Sequence, residues 1–244
     1  MNDMTREDLL ALVTNKEGWT RRDKEPTMRP VKSKNLLKLV VIMGVLAIGT
    51  GLSATASAQT IVDEWANVKV PPPPELKPVT IDPKTTVLLM LDFMKQTCPV
   101  RPRCLASVPA VKNFLAEARA KGMMVVYTTG LGGKVADTVE AVAPTGSEPV
   151  VSAGVDKFLN TDLDKILKDK GIQTVITIGT AAHGAVLHTA SAAGMRGIKV
   201  IVPVDGVSGV SADTYIEQYT AWHLTNAPVF SRNVTLTKFD MVKF

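Results

Sequence analysis

Val175-Ile176-Thr177-Ile178-Gly179-Thr180-Ala181-Ala182-His183-Gly184-Ala185-Val186-Leu187-His188-Thr189-Ala190 decides how the chain folds. A β-branched apolar run stops at Gly179, and mostly small residues continue to Gly194. The pattern predicts a buried parallel strand, a tight turn, and a helix held close to the sheet by alanines. Open α/β sheets bind their ligands at such carboxyl strand ends. Two of the three histidines, His183 and His188, lie in this stretch.

The same alternation repeats on both sides. Thr85 to Leu91 is a continuous apolar run that fits a strand buried on both faces, and Asp92 ends it. That places a carboxylate at the sheet's carboxyl edge. Met123 to Thr128 predicts a second strand and Pro149-Val150-Val151 a short third. Gln173 to Ile178 is the fourth, Ile198 to Val202 the fifth, and Val229 to Leu236 holds the last. Between them, Ser107 is expected to cap a helix with Pro109 in its first turn and Gly122 at its end. Thr161 caps another, closed by Gly171, and residues 182–196 form a third. Ser211 or Asp213 starts a fourth that runs through Leu224. Strands alternating with helices imply a three-layer αβα arrangement, a parallel sheet covered on both faces by right-handed crossovers. No Gly-x-Gly-x-x-Gly follows the first strand, so neither a dinucleotide site nor another cofactor is expected. The Gly-rich loop from Thr129 to Ser147 leaves a strand's carboxyl end, where long loops are often functional.

Charge narrows the partners. Residues 1–58 carry 9 Lys/Arg against 6 Asp/Glu, and residues 59–244 carry 19 against 17. The second part is near neutral, which gives no electrostatic reason for nucleic acid or an anionic membrane surface. Leu36 to Leu52 is apolar, follows Arg29, Lys32, Lys34 and Lys38, and ends in Ser53-Ala54-Thr55-Ala56-Ser57-Ala58. This describes a secretory signal with cleavage after Ala58. An uncleaved membrane anchor is the alternative, because the run is near the lower limit for a spanning helix. The expected organisation is an n-region and signal over residues 1–58, a proline-rich leader over 59–84, and a domain over 85–244. Pro71 to Pro74 is extended polyproline, a spacer or an arm on the surface. Export, to a bacterial periplasm, puts Cys98 and Cys104 in an oxidising compartment and predicts a disulfide between them. Neither a nearby histidine nor a second cysteine pair completes a tetrahedral metal set, so no metal is expected.

With these stretches in view, residues 80–240 resemble the isochorismatase-like hydrolase superfamily, which includes isochorismatases, nicotinamidases and carbamoyl-amide hydrolases. The resemblance rests on Val87-Leu88-Leu89-Met90-Leu91-Asp92, on Phe158 to Leu163, on Gly179 to Ala190 followed by Gly197-Ile198-Lys199-Val200, and on Val204-Asp205-Gly206. It implies a six-stranded, mostly parallel Rossmann-like sheet, a site at its carboxyl edge, a homo-oligomer, and an Asp-Lys-Cys triad in the amidase branch. Asp92 matches the aspartate. The cysteine position, six residues after Gly179, is Ala185. The lysine position, counted back nine from Thr161, falls on Ser152, with Lys157 outside the matching place. Without a thiol at residue 185, acyl-enzyme chemistry by the usual family route is not available. True isochorismatases also lack that cysteine and carry an Ala-His pair followed by a small residue, which looks like Ala182-His183-Gly184-Ala185.

The expected site therefore has Asp92 as its acid–base group. His183 orients substrate or water, with Ala182, Gly184, Ala185 and Ser152 around it. Arg101 and Arg103 are candidates to hold a substrate carboxylate. His188 and His223 are expected in packing or surface roles. The reading is an exported hydrolase of a small molecule without the family nucleophile. Two alternatives stand beside it: an inactive small-molecule-binding or scaffold protein on the same fold, and a thiol enzyme using Cys98.

Overall fold

The computed structural model describes residues 60–210 and 214–244. The expected signal and its cleavage point lie outside the described residues, as do the helix starts expected at Ser211 or Asp213.

Strands β1 (Val79–Thr80), β2 (Thr86–Leu91), β3 (Met124–Thr129), β4 (Val150–Ser152), β5 (Thr174–Thr180), β6 (Lys199–Pro203), β7 (Val207–Ser208), β8 (Val234–Thr237) and β9 (Val242–Lys243) alternate, among the described residues, with five α-helices. These are α1 (Ile61–Glu64), α2 (Pro102–Ala120), α3 (Leu163–Asp169), α4 (Leu187–Met195) and α5 (Tyr215–Asn226). The main sheet runs β4-β3-β2-β5-β6-β8, and every paired strand in it is parallel. The two-residue β7 extends it beside the end of β5, and β1 pairs with β9 in a separate ribbon. The order reverses between β2 and β5, so their carboxyl ends form the topological switch point where such sheets hold ligands.

All six residues of β2 are buried, and their alternation separates two cores. Val87, Leu89 and Leu91 face the layer holding Leu163 and Leu167 of α3, Ala190 of α4 and Leu224 of α5. Leu88 and Met90 face Val108, Val111 and Leu115 of α2. Helix α2 thus covers one face and α3, α4 and α5 the other, the division that right-handed crossovers from a reversing sheet require. Gly179 sits where β5 passes Leu91. A Cβ there would lie 2.0 Å from the Leu91 carbonyl oxygen, and φ is +136°, so only glycine lets the two strand ends approach this closely.

Helix α2 begins at Pro102, five residues before the expected Ser107 cap. Proline suits a first helical position because its missing N–H has no partner there. Ser107 is inside the helix and buried, and its hydroxyl donates 2.8 Å to the Cys104 carbonyl. The expected disulfide is present: Cys98 and Cys104 are joined with their Cα atoms 5.2 Å apart, which ties the preceding turn to the helix start. Closing so short a loop stabilises by about 2 kcal/mol in the chain-entropy account. Cys98→Ser/Cys104→Ser is expected to lower the free energy of urea unfolding by about that amount, and wild type in reductant should match it.

The leader lies against the domain. The Gln218 amide donates 2.7 Å to the Pro71 carbonyl, and the Lys77 N–H donates 2.9 Å to the Leu236 carbonyl on the outer edge of β8. Extended proline-rich chain here covers a sheet edge that would otherwise offer unpaired backbone groups. Among the described residues, no helix is long and apolar enough to cross a membrane.

Candidate active site

Asp92 follows the last residue of β2 and adopts φ of +54°. Asp is one of the few side chains that tolerate this region. The turn is closed by Met94 N–H donating 2.8 Å to the Asp92 carbonyl. Thr128, at the end of neighbouring β3, donates its hydroxyl 2.7 Å to Asp92 Oδ1 and accepts the Asp92 N–H at 3.3 Å.

The other carboxylate oxygen, Oδ2, accepts from Lys157 Nζ at 2.8 Å. Lys157 is fully buried, while the Asp92 side chain keeps 20% of its surface exposed. The ammonium also donates to the Thr129 carbonyl at 3.2 Å and the Ala153 carbonyl at 3.3 Å. All three of its hydrogens are therefore used, which a buried charge requires. Counting back from Thr161 places the lysine position on Ser152, but the lysine that meets Asp92 is Lys157. Ser152 sits on edge strand β4, exposed, with its hydroxyl donating to the Gly130 carbonyl at 3.1 Å. The lysine comes instead from the loop after β4. That loop is clipped to α4, since Lys157 N–H donates to Thr189 Oγ1 at 3.3 Å, while Thr161 Oγ1 donates to the Lys157 carbonyl at 2.6 Å.

Beyond β5 the Thr180–Ala181 peptide is cis. Residues Ala182–Val186 then form a wide π-type turn before α4. Such turns recur at functional sites. Ala182 and Ala185 are buried in it, and Gly184 takes φ −109°, ψ −106°. His183 is half-buried, and its Nδ1 is buried with no hydrogen-bond partner among the described residues. His188 is exposed, and His223 packs its ring between Tyr219 and Phe230.

The two arginines separate. Arg103 is held by both oxygens of Glu217, which also accepts the Gly209 N–H at 2.7 Å. That fork fixes α2 to α5 and leaves the side chain a structural task. Arg101 instead sends Nη1 2.7 Å to Thr180 Oγ1 at the end of β5. Burial lowers its pKa from the ordinary arginine range, and the nearby Asp92 charge opposes that. Cys98 has no free thiol, which removes the Cys98 enzyme. Among the described residues no group of three His, Cys, Asp or Glu side chains could hold a metal ion.

Asp205 lies outside this cluster. Its carboxylate accepts the Phe239 N–H at 3.1 and 3.2 Å, and burial raises its pKa. A cavity of about 490 Å³ lined by Thr80, Asp82, Gln173, Lys199 and Arg232 lies at the opposite, amino edge of the sheet and holds none of these groups. The long loop after β3 is fastened over the Asp92 side: Val139 N–H donates to the Phe93 carbonyl at 2.8 Å, and Tyr127 donates its hydroxyl to the Val142 carbonyl at 2.7 Å.

An isochorismatase domain model matches residues 86–233. The chain belongs to the isochorismatase family. Maleamate amidohydrolase of Pseudomonas putida is 29% identical, with 52% of this chain and 74% of that protein covered. The secreted isochorismatase effector Isc1 of Verticillium dahliae is 26% identical, covering 53% of this chain and 76% of that one. Among solved structures, a cysteine hydrolase from Pseudomonas syringae pv. phaseolicola superposes with a TM-score of 0.59 at 20% identity, over 68% of this chain and 94% of that one. N-carbamoylsarcosine amidase from Thermoplasma acidophilum gives 0.55 at 22%, over 64% and 97%. The two solved structures share the α/β fold described above.

Proposed function

We propose that this isochorismatase-family protein is an exported hydrolase of a small molecule that works by acid–base chemistry at Asp92 and forms no covalent intermediate. The observation that carries the reading is the Asp92–Lys157 pair, 2.8 Å apart at the sheet's switch point, beside a turn whose residue 185 is alanine. With Oδ1 held by Thr128 and Oδ2 by Lys157, the carboxylate is fixed in orientation and still partly open. It takes a proton from a water that attacks the substrate and returns it to the leaving group. Lys157 is wholly buried and does not touch the substrate; it is a positioning residue. His183 orients substrate or water through its unpartnered Nδ1, and the backbone of Ala182, Gly184 and Ala185 lines the same turn.

The disulfide and the name of the secreted Verticillium relative support export, and we take the compartment to be a bacterial periplasm. A homo-oligomer belongs to the same reading, supported by exposed Tyr215, Tyr219 and Trp222 at helical spacing on α5. The binding-protein alternative is favoured by one observation, that Ala185 supplies no nucleophile.

The test is turnover of amides, enol ethers and small esters by wild type and Asp92→Asn. Hydrolysis lost in a folded variant supports the acid–base reading. Hydrolysis by neither, with both folded, favours the binding protein, and hydrolysis that survives Asp92→Asn removes Asp92 from the chemistry.

A further inference from the structure

Arg101 sits between the two cysteines, in the loop that the disulfide closes, as the N-cap residue just before α2. Its backbone is fixed on both sides: its N–H donates to the Cys98 carbonyl at 3.0 Å, and its own carbonyl accepts from Leu105 at 3.1 Å. Its side chain reaches across to Thr180, whose hydroxyl passes its hydrogen on to the Ser208 carbonyl at 3.2 Å. Thr180 takes the place beside Asp92, because Leu91 and Gly179 are register partners. Adjacent strands lie about 4.8 Å apart, so the guanidinium is within the span of a small molecule from the Asp92 carboxylate.

The charges around this point do not balance. Asp92 and Lys157 cancel each other. Arg101 is half-buried and has no carboxylate partner among the described residues, whereas Arg103 and Arg119 are each forked by a glutamate. A guanidinium offers five N–H donors in a plane that fits a carboxylate, and Arg101 spends one of its side-chain hydrogens on Thr180. The fixed residues thus leave one uncompensated positive charge beside the reacting group.

We propose that Arg101 is the anion anchor of the site, so that the substrate carries a single carboxylate or similar planar oxyanion, with the bond to be hydrolysed turned toward Asp92. This rests on the hydrolase reading for the reaction and on the geometry of Arg101 for the binding. It selects Arg101 over Arg103. Arg101 touches the substrate's spectator anion and not the reacting atoms, so its removal weakens binding and leaves the chemical step in place.

The experiment is calorimetric titration of the full-length protein with succinamate, which carries one carboxylate and one amide, and with succinamide, its neutral counterpart. Wild type, Arg101→Gln and Arg101→Lys are compared, and each variant's thermal unfolding is recorded. Wild type is expected to prefer the anion by about tenfold or more, the worth of a hydrogen-bonded charge. Arg101→Gln should lose that preference and leave the neutral probe's affinity unchanged, and Arg101→Lys should keep part of it. Equal affinities in wild type, no binding of the anion, or a preference that survives Arg101→Gln would each overturn the anchor. Where a probe is hydrolysed, the anchor predicts a raised KM with kcat kept in Arg101→Gln. Anion binding without turnover would sink the hydrolase reading and leave the anchor standing, and turnover indifferent to Arg101 would do the reverse.

Discussion

Lys157→Met is expected to lower the free energy of unfolding by about 3–5 kcal/mol, the cost of breaking a buried ion pair by removing one partner. The substitution keeps the length of the stem but takes the lysine donor from Asp92 Oδ2 and the Ala153 carbonyl, and leaves the Thr129 carbonyl only the Ala153 N–H at 3.1 Å. Asp92→Asn leaves the fully buried ammonium without its counter-charge and should cost a comparable amount, although its amide oxygen can still accept from the lysine. In the double variant both charges are gone, so its loss should be smaller than the sum of the single losses, a coupling of the size found between contacting charged groups. Urea unfolding of the four proteins measures this. Activity should not follow stability. Turnover is expected to fall by about 10²–10⁴-fold in every variant that lacks the Asp92 carboxylate, the usual worth of a general acid–base group. In Lys157→Met, where the carboxylate stays but loses its fixed orientation, kcat should fall with KM kept, which a merely structural lysine would not cause. A Lys157→Met protein with wild-type stability and an unchanged kcat would remove the pair from the site.

This pair also marks the limit of what the sequence makes legible. The strands, their parallel pairing and the location of the site follow from apolar runs that end in Asp92 and Gly179, because burial on both faces and a sharp stop leave few alternatives. The lysine is not legible by counting. A long aliphatic stem lets the charge enter from any of several loop positions, so the distance along the chain from Thr161 to the lysine is not fixed by the fold. The physical signal was the aspartate itself. A carboxylate at the end of a fully buried strand needs a partner, and the loops after β3 and β4 offer Lys134 and Lys157. The start of α2 differs from the sequence expectation for a related reason. Ser107 has the chemistry of a cap, but Pro102 and the disulfide start the helix earlier, and Ser107 turns its hydroxyl back onto Cys104. Arg101 and Arg103 are two residues apart and identical in type. Only their tertiary partners, Thr180 and Glu217, tell them apart.

Ala185→Cys is expected to convert the site to covalent chemistry. The resemblance implies an Asp-Lys-Cys set; with Lys157 beside Asp92, position 185 is the one this prediction tests. Residue 185 lies in the turn after β5, buried to 3% exposure, with β5 beside the strand that carries Asp92. A sulfur adds little volume to an alanine in a turn otherwise built from small residues, so the variant should fold. Its thiol would have Asp92 as the nearby base that activates a nucleophile. Because Cys98 and Cys104 are already joined to each other, the new cysteine is the single thiol available to iodoacetamide. The expected result is one alkyl group per chain in native Ala185→Cys, none in wild type, and loss of labelling at neutral pH when Asp92→Asn is added. Amide hydrolysis should rise on the order of 10²-fold over wild type, since members of a catalytic set act as a unit and the last one restored has the largest effect. An acyl adduct seen by mass spectrometry would establish the covalent route. A thiol that alkylates readily yet forms no acyl adduct with any amide would show that Asp92 and Lys157 here are arranged for water alone. A thiol that does not alkylate would show that burial shields residue 185 from the reagent.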